Sequence, residues 1–176
     1  MKDALIYWFT GLSGSGKTTI ADATKTLLEA DGYSVLILDG DNIRNRLHVD
    51  LGFSKEDIKN NNSLIIKLCQ KIRKDNNIIF VSIISPYNSS RKDAEDTLKP
   101  GFYEVYCKAD IQELISRDTK GLYSKALKGE INDLIGFSST SIYEMPPKSD
   151  IILDTVKCNI NESVNDFYNF VQDCLK

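Results

Sequence analysis

Several residue patterns that would indicate a particular class of protein are missing from this chain of 176 residues. It has one histidine and four cysteines, and the cysteines lie far apart with no C-x-x-C pair, at Cys69, Cys107, Cys158 and Cys174. That spacing indicates neither a zinc site nor a disulfide framework, and it favours buried free thiols. The formal net charge is -3 and no dense run of lysine and arginine occurs, which argues against a nucleic-acid partner.

Long apolar runs are also missing. None approaches the roughly 18 residues that a membrane-spanning helix needs, and the first residues, MKDALIYWF, show no signal-peptide pattern. From these absences we expect a cytoplasmic protein with no membrane partner. The length, with a hydrophobic content of 41%, predicts one compact domain over residues 1–176.

Five short apolar runs, at 4–9, 34–38, 78–84, 102–107 and 150–155, alternate with stretches of helical pattern. The runs are apolar almost throughout, which is typical of strands buried on both faces of a parallel sheet. Helices are predicted at 17–31, 55–75, 88–98, 110–117 and 160–175. The asparagine-rich stretches KNNNSLIIK and KDNNIIF are expected to form helix ends and turns. The alternation predicts a doubly wound α/β fold, with a mainly parallel five-stranded sheet.

The segment from Lys120 to Pro147 departs from that alternation. It contains three glycines, two prolines and few long apolar runs. A loop of this length in a compact domain is usually disordered or functional. We therefore expect a mobile insert at about 120–147, of the kind that closes over a substrate.

The segment GLSGSGKTT, residues 11–19, matches the phosphate-loop pattern G-x-x-x-x-G-K-[ST] between a predicted strand and a predicted helix. Glycines let the backbone N–H groups turn toward phosphate oxygens, and the following helix adds the positive end of its dipole. Lys17 is placed to reach the β and γ phosphates, and the Thr18 hydroxyl to ligate Mg²⁺. The pattern predicts a P-loop fold that binds a nucleoside triphosphate and Mg²⁺ through Gly11, Ser13, Gly14, Ser15, Gly16, Lys17, Thr18 and Thr19.

Three classes of P-loop protein are open at this point: small-molecule kinases, GTPases and ATPase motors. A guanine-binding [NT]-K-x-D tetrapeptide does not occur. The third apolar run ends SIISPY, whereas a motor would usually show an apolar strand that ends in two acidic residues. These features favour a kinase.

Charged residues follow the second predicted strand in the segment LDGDNIR. Ligands of open α/β sheets bind at the carboxyl ends of the strands, where Asp39, Asp41 and Arg44 are expected to lie. Two carboxylates beside the phosphate loop can organise Mg²⁺, and one can accept the proton of an attacking hydroxyl. We predict that Lys17, Asp39 and Asp41 are catalytic, that Thr18 and Asp39 hold the metal, and that Arg44 grips an acceptor phosphate. A turn with a capping aspartate is the competing explanation.

Six segments, GLSGSGKTT, LDGDNIR, LGFSKED, ISPY, RDTKGLYSKALKGEI and YEMP, together resemble adenylylsulfate kinases in their order and spacing. The resemblance extends from about residue 5 to residue 155. It implies a homodimer that transfers phosphate from ATP to the ribose 3′-hydroxyl of a 5′-substituted nucleotide. It assigns Arg117 to the ATP side and gives these residues to the acceptor: Asp41, Arg44, Phe53, Asn61, Ile84, Ser85, Lys120 and Phe137.

Two of these assignments concern aromatic rings. Phe53 and Phe137 resemble the pair that sandwiches the acceptor base in the family, although core packing competes as an explanation for Phe53. Ser85 corresponds to a serine sometimes described as a phosphorylated intermediate. Direct in-line transfer does not need such an intermediate, so we expect a structural or acceptor-contacting role.

The chain departs from the family pattern at the acceptor end. Ile58 stands where the family has arginine, Ser63 and Leu64 where it has an arginine pair, and Asn88 where arginine follows ISPY. A charge-assisted bond to an anion is worth roughly 1.5–3 kcal/mol, so these losses predict weak binding of a phosphosulfate.

Three hypotheses follow from this departure. The main hypothesis is a nucleotide 3′-kinase whose acceptor is cytidine diphosphoramidate, used to make phosphoramidate-modified capsule sugars. One alternative is an ordinary adenylylsulfate kinase whose sulfate site is rebuilt around Lys55 or Lys59. The other is a nucleotide-binding regulatory protein without turnover, which intact phosphate-loop and acidic residues argue against.

Overall fold

The computed structural model describes residues 3–47 and 51–176 of the chain. Within these ranges there are five strands, β1 (Leu5–Thr10), β2 (Val35–Asp39), β3 (Ile78–Ser82), β4 (Phe102–Lys108) and β5 (Ile151–Asp154). The helices of the same ranges are α1 (Lys17–Ala30), α2 (Gly40–Leu47), α3 (Lys55–Ile72), α4 (Asn88–Leu98), α5 (Ile111–Arg117), α6 (Leu122–Leu127) and α7 (Ile160–Leu175). None of these helices is both long and apolar enough to cross a bilayer.

The strands form one parallel sheet in the order β2-β3-β1-β4-β5. Leu5 of β1 lies opposite Ile78 of β3, which also pairs with Val35 of β2, and β4 pairs with the other side of β1. The predicted doubly wound parallel sheet is therefore confirmed. The strands β2 and β3 lie on one side of β1, and β4 and β5 lie on the other side. Ligands of open α/β sheets bind in the crevice at the carboxyl end of a strand where the order reverses in this way.

The central strand β1 is buried on both faces, because successive side chains of a strand point to opposite sides. Tyr7 and Phe9 point toward α1 and α7, where Tyr7 meets the Phe167 ring edge-on with the ring centroids 5.6 Å apart. Ile6 and Trp8 point toward α3 and α4. Burial of each large apolar side chain stabilises the fold by about 1.5–3 kcal/mol. The phosphate loop therefore starts from a firmly held strand.

The helix α3 corrects one expectation about the asparagine-rich stretches. KNNNSLIIK does not form a helix end, because its asparagines lie in the first half of α3. Ser54 begins the helix with a capping box, in which its hydroxyl accepts from the Asp57 N–H and the Asp57 carboxylate accepts from the Ser54 N–H. The cap and the buried face that includes Ile65 and Ile66 outweigh the weak helix propensity of asparagine.

The segment 120–147 is more closely packed than the sequence suggested. It contains α6 and buries Tyr123, Leu134 and Ile135, which are 2%, 8% and 8% exposed. Its return toward the sheet is held by the Glu144 N–H, which donates to the Pro86 carbonyl over 2.8 Å. Part of the expected insert thus contributes side chains to the interior. Its role as a lid stays a prediction.

Candidate active site

A cleft of about 770 Å³ opens at the carboxyl ends of β1, β2 and β3. It is lined by the phosphate loop, the start of α2, one face of α3, the residues after β3, and the segment 119–135. The structure brings these sequence-predicted residues together at its surface: Ser13, Gly14, Gly16, Lys17, Thr18, Thr19, Asp39, Asp41, Arg44, Phe53, Asn61, Ile84, Ser85 and Lys120. Donor and acceptor candidates therefore share one cleft.

The phosphate loop starts with a close backbone approach at Gly11. This residue has a φ of 145°, and a Cβ at this position would lie 2.4 Å from the Cys107 carbonyl oxygen. Gly16, with a φ of 90°, ends the loop in the left-handed region just before α1. Both positions require glycine for different reasons, one for space and one for conformation. Gly11 and the buried Ser15 shape the loop from behind and do not line the cleft.

The Lys17 ammonium is folded onto the loop that precedes it. It donates to the Gly11 carbonyl over 2.9 Å and to the Leu12 carbonyl over 2.7 Å. Burial lowers the pKa of this ammonium to about 8, and the neighbouring Asp41 and Asp39 carboxylates oppose the shift. Lys17 is therefore largely protonated at neutral pH, and its charge is held at the centre of the loop.

Thr18 and Asp39 form a polar pair at the start of α1 and the end of β2. The Thr18 hydroxyl donates to Asp39 Oδ2 over 3.0 Å and lies 3.1 Å from the Ser82 hydroxyl. The other oxygen, Asp39 Oδ1, accepts from the Asp41 and Asn42 N–H groups over 3.1 and 3.2 Å. Asp39 is thus fixed by three hydrogen bonds and turned toward the phosphate loop.

This pair fits a magnesium ion. Mg²⁺ takes hard oxygen ligands, and it is usually bound through one or two carboxylates together with waters and substrate phosphates. A hydroxyl and a carboxylate oxygen at the mouth of a phosphate loop match that pattern. In the part of the chain that the structure describes, no group of three or more His, Cys, Asp or Glu side chains is placed to hold a metal by itself.

Asp41 carries an exposed carboxylate at the cleft entrance. Its Oδ2 lies 2.6 Å from the Lys120 ammonium, with the two side chains 75% and 52% exposed. Lys120 follows α5, so this ion pair connects the segment 118–121 to the start of α2. An exposed pair of this kind contributes roughly 0–1 kcal/mol and exchanges readily with other partners. Each group is therefore available to a bound nucleotide.

Arg44 is held by the chain that leads into α3. Its Nη1 donates to the Leu51 and Gly52 carbonyls over 2.9 and 2.6 Å. The guanidinium also lies over the Phe53 ring, 4.5 Å from its centroid. The Phe53 side chain is 57% exposed, so core packing does not explain this residue. An exposed ring at a cleft edge offers a face on which a nucleobase can stack.

Two further predicted site residues, besides Gly11 and Ser15, do not line the cleft. Phe137 packs edge-on against Tyr123 at a centroid distance of 6.1 Å, within the apolar cluster around α6. Arg117 donates to the Thr155 carbonyl over 2.6 Å and pairs with Glu113. Arg117 still lies close to the phosphate loop, because the methyl group of its partner Thr155 is 3.6 Å from the place of a Cβ at Gly16. The roles of Phe137 toward the acceptor and of Arg117 toward ATP stay predictions.

Ser85 lies at the cleft surface in a strained conformation that its neighbours hold in place. Its φ is 43°, a left-handed value that costs of order 1 kcal/mol or more for a residue with a side chain. The Trp8 indole donates to the Ser85 hydroxyl over 3.1 Å, and the Thr10 hydroxyl donates to its carbonyl over 3.1 Å. The buried Arg91 guanidinium donates to the same carbonyl and also to the Glu144 carbonyl. Sequence analysis missed this network because its members lie far apart along the chain.

The lining of the cleft by α3 corrects the expectation that four lost arginines all remove positive charge from the acceptor site. Ile58 lines the cleft and packs with Tyr87 and Ile135, so its replacement of arginine does remove charge from the cleft. Ser63 and Leu64 are exposed and do not line it. The Asn88 side chain accepts a hydrogen bond from Arg91. Three of the four departures from the family pattern therefore lie outside the cleft lining.

Two residues that sequence analysis did not single out also belong to the site. Asn62 lines the cleft one turn after Ile58. The buried Tyr123 donates its hydroxyl to the Ser13 carbonyl over 2.9 Å, which ties α6 to the phosphate loop. Burial raises the pKa of this hydroxyl to about 12, so it stays a donor. No local sequence pattern indicated either contact.

Comparison with known proteins agrees with this geometry. The chain matches the family model described as adenylylsulphate kinase over residues 3–154. It is 41% identical over 171 residues to the adenylyl-sulfate kinase of Bacillus velezensis, which is 97% of this chain and 86% of that protein. The matched range includes every element that lines the cleft.

Solved structures give the same result. The APS kinase CysC of Mycobacterium tuberculosis, solved in complex with AMPPNP and APS, has a TM-score of 0.91 and 33% identity, covering 98% of this chain and 99% of that one. A hexameric APS kinase from Thiobacillus denitrificans has a TM-score of 0.71 and 27% identity, covering 98% of this chain and 29% of that one.

Proposed function

Because the chain belongs to the adenylylsulphate kinase family, we propose that it phosphorylates the ribose 3′-hydroxyl of adenylylsulfate with ATP. It is an ATP-dependent phosphotransferase with a hydroxyl acceptor, and the proposed products are ADP and 3′-phosphoadenylylsulfate. One observation carries the proposal: the phosphate loop and the carboxylates after β2 line a single cleft. A hydroxyl bound beside those carboxylates lies within the same enclosure as the donor phosphate.

On the donor side, the phosphate loop binds the ATP phosphates and Lys17 positions them. The loop N–H groups and the start of α1 supply partial positive charge to the ATP phosphates. The Lys17 ammonium exchanges its carbonyl partners for phosphate oxygens, which is favourable because charge-assisted bonds are stronger than neutral ones. Tyr123, bound to the Ser13 carbonyl, keeps the loop in register with α6.

On the acceptor side, Asp41 accepts the proton. The 3′-oxygen attacks the γ-phosphorus, the bond between that phosphorus and the β,γ-bridging oxygen breaks, and the hydroxyl proton passes to the carboxylate. Lys120 leaves Asp41 for the acceptor in this proposal, which frees the carboxylate that it contacts over 2.6 Å. Phe53 offers its exposed face to the acceptor base.

Thr18 and Asp39 would hold Mg²⁺. When bound, the ion neutralises charge on the transferring phosphates and orients them. Hydrogen bonds keep the two side chains in position for the ion, since Asp39 accepts from the Thr18 hydroxyl and from the Asp41 N–H at the start of α2. The homodimer implied by the sequence resemblance also stays a proposal, which light scattering of the purified protein tests.

A second acceptor is considered because Ile58 lines the cleft where the family pattern has arginine. An apolar wall suits a 5′-terminal group with less negative charge than a sulfate, and cytidine diphosphoramidate is such a nucleotide. The relatives give no support to this acceptor or to a role in capsule biosynthesis, and they favour adenylylsulfate. We therefore keep the cytidine compound as the comparison substrate.

The test is a parallel assay of the two acceptors with MgATP. ADP release gives the rate, and ³¹P NMR locates the new phosphate on the nucleotide. We expect a larger kcat/KM for adenylylsulfate, with the phosphate on its 3′-oxygen. A larger value for the cytidine compound would overturn the choice of acceptor. ADP release at the same rate without either nucleotide would overturn the kinase proposal itself.

A further inference from the structure

The face of α3 that lines the cleft contains a buried asparagine whose environment gives it no partner. Asn62 is 2% exposed and lines the cleft four residues after the apolar Ile58. Among the residues that the structure describes, no group forms a hydrogen bond with its side-chain amide. The next buried residues of the same face, Ile65 and Ile66, belong to the apolar core.

An asparagine in this place carries two costs. It is a weaker helix former than leucine in a helix interior. A side chain that is 2% exposed and makes no hydrogen bond with the described residues has also lost most of its contact with water without compensation, and the contact that remains is through the cleft. An apolar residue would satisfy both the helix and the core at this position, so the fold alone gives no reason for the amide.

We propose that Asn62 is a specificity-determining residue that hydrogen-bonds the acceptor nucleotide. This inference rests on the proposed function, because it takes the α3 side of the cleft as the acceptor side. The amide N–H groups supply two neutral donors to the anionic nucleotide on a wall where Ile58 contributes no charge. Binding of the acceptor satisfies the amide that the folded chain leaves without a partner.

The helix provides a matched control. Asn60 lies two residues earlier on α3, has the same side chain, and is exposed. Asn62→Leu removes the amide with little change in volume, and Asn60→Leu makes the same change away from the cleft. Asn62→Asp keeps the shape but replaces the donors with a negative charge. Asn62→Ser is a smaller substitution that keeps the test available if leucine disturbs packing.

Steady-state kinetics with adenylylsulfate and MgATP, together with thermal unfolding, distinguish the outcomes. We expect Asn62→Leu to raise the acceptor KM about tenfold, which is the loss of one well-formed hydrogen bond. The ATP KM and kcat should stay near wild type, and Tm should rise by roughly 2–4 °C because the buried amide is gone. Asn62→Asp should raise the acceptor KM further, and Asn60→Leu should change neither KM.

Two results would overturn the inference. One is an acceptor KM within twofold of wild type for Asn62→Leu and Asn62→Ser. The other is a fall in Tm with both KM values rising together, which indicates a structural role. Either variant result is compatible with intact transfer to adenylylsulfate by the wild-type protein. It would therefore overturn this inference and leave the proposed function standing. Failure of the wild-type protein to phosphorylate or bind adenylylsulfate would instead overturn the proposed function, and this inference with it.

Discussion

Replacing Arg91 with methionine tests the buried ion pair that supports the Ser85 loop. The Arg91 side chain is 2% exposed, and its Nε lies 3.3 Å from Oε2 of Glu104, which is 14% exposed. Removing one partner leaves the other charge buried without compensation, which costs about 3–5 kcal/mol. For a chain of this size the corresponding fall in Tm is roughly 6–20 °C.

Glu104 gives this effect its pH dependence. Burial raises the pKa of the Glu104 carboxyl above its ordinary value, and Arg91 opposes that shift. Removing Arg91 therefore raises the pKa further. Because the folded state then favours the protonated carboxyl, the destabilisation is full above the folded pKa and decreases as the pH falls through it. The difference in Tm between variant and wild type should narrow from about pH 7 to about pH 5.

Thermal unfolding followed by circular dichroism at the two pH values measures this effect. Arg91→Met with Glu104→Gln should recover most of the loss, since no unpaired charge is left. Lys92→Met, at a neighbouring side chain that is 60% exposed, is the control. Arg91 also donates to the Ser85 carbonyl, so the acceptor KM should rise more than the ATP KM. A fall in Tm of only one or two degrees, unchanged by pH, would refute the reasoning.

Four shorter predictions concern the cleft. Lys17→Ala should abolish transfer with little change in Tm, and a matching loss of folded structure would contradict the donor assignment. ATP affinity should be constant below about pH 7 and fall by up to tenfold per pH unit above about pH 8, because Lys17 loses its proton there. An ATP affinity that calorimetry finds unchanged up to pH 10 would count against this. Asp41→Asn should lower kcat by about 10²–10⁴ with little change in acceptor KM, whereas an effect on KM alone would make it a binding residue. Ile58→Arg should raise the kcat/KM ratio of adenylylsulfate to cytidine diphosphoramidate by about tenfold or more, and an unchanged ratio would show that position 58 does not face the acceptor.

The sheet and the phosphate loop were predictable because their signals are local. Apolar runs such as the one in β3 have few alternatives to a buried strand. The phosphate-loop pattern combines glycines, lysine and threonine between a strand and a helix, and each of these residue types has a physical reason at its position. The positions of Lys17, Thr18 and Asp39 at one edge then follow from the parallel order of the strands.

The remaining errors came from features that no local pattern contains. The six residues of α6 are too few to show a helical period, so the segment around Tyr123 looked irregular. The asparagines of α3 suggested a turn, whereas the Ser54 cap and the apolar face determined the helix. Alignment with the family pattern gave no information about which residues face the cleft. The family pattern therefore gives Ser63 the same weight as Ile58, although only Ile58 lines the cleft.

The four residues 120–123, at the start of α6, touch both halves of the cleft. Lys120 reaches the Asp41 carboxylate, and Tyr123 reaches the phosphate-loop carbonyl of Ser13. A shift of this short peptide on binding one substrate therefore alters the surroundings of the other. Such coupling is reciprocal: any factor by which ADP changes acceptor affinity equals the factor by which the acceptor changes ADP affinity. Any such shift would link the two substrates thermodynamically through a single turn of chain.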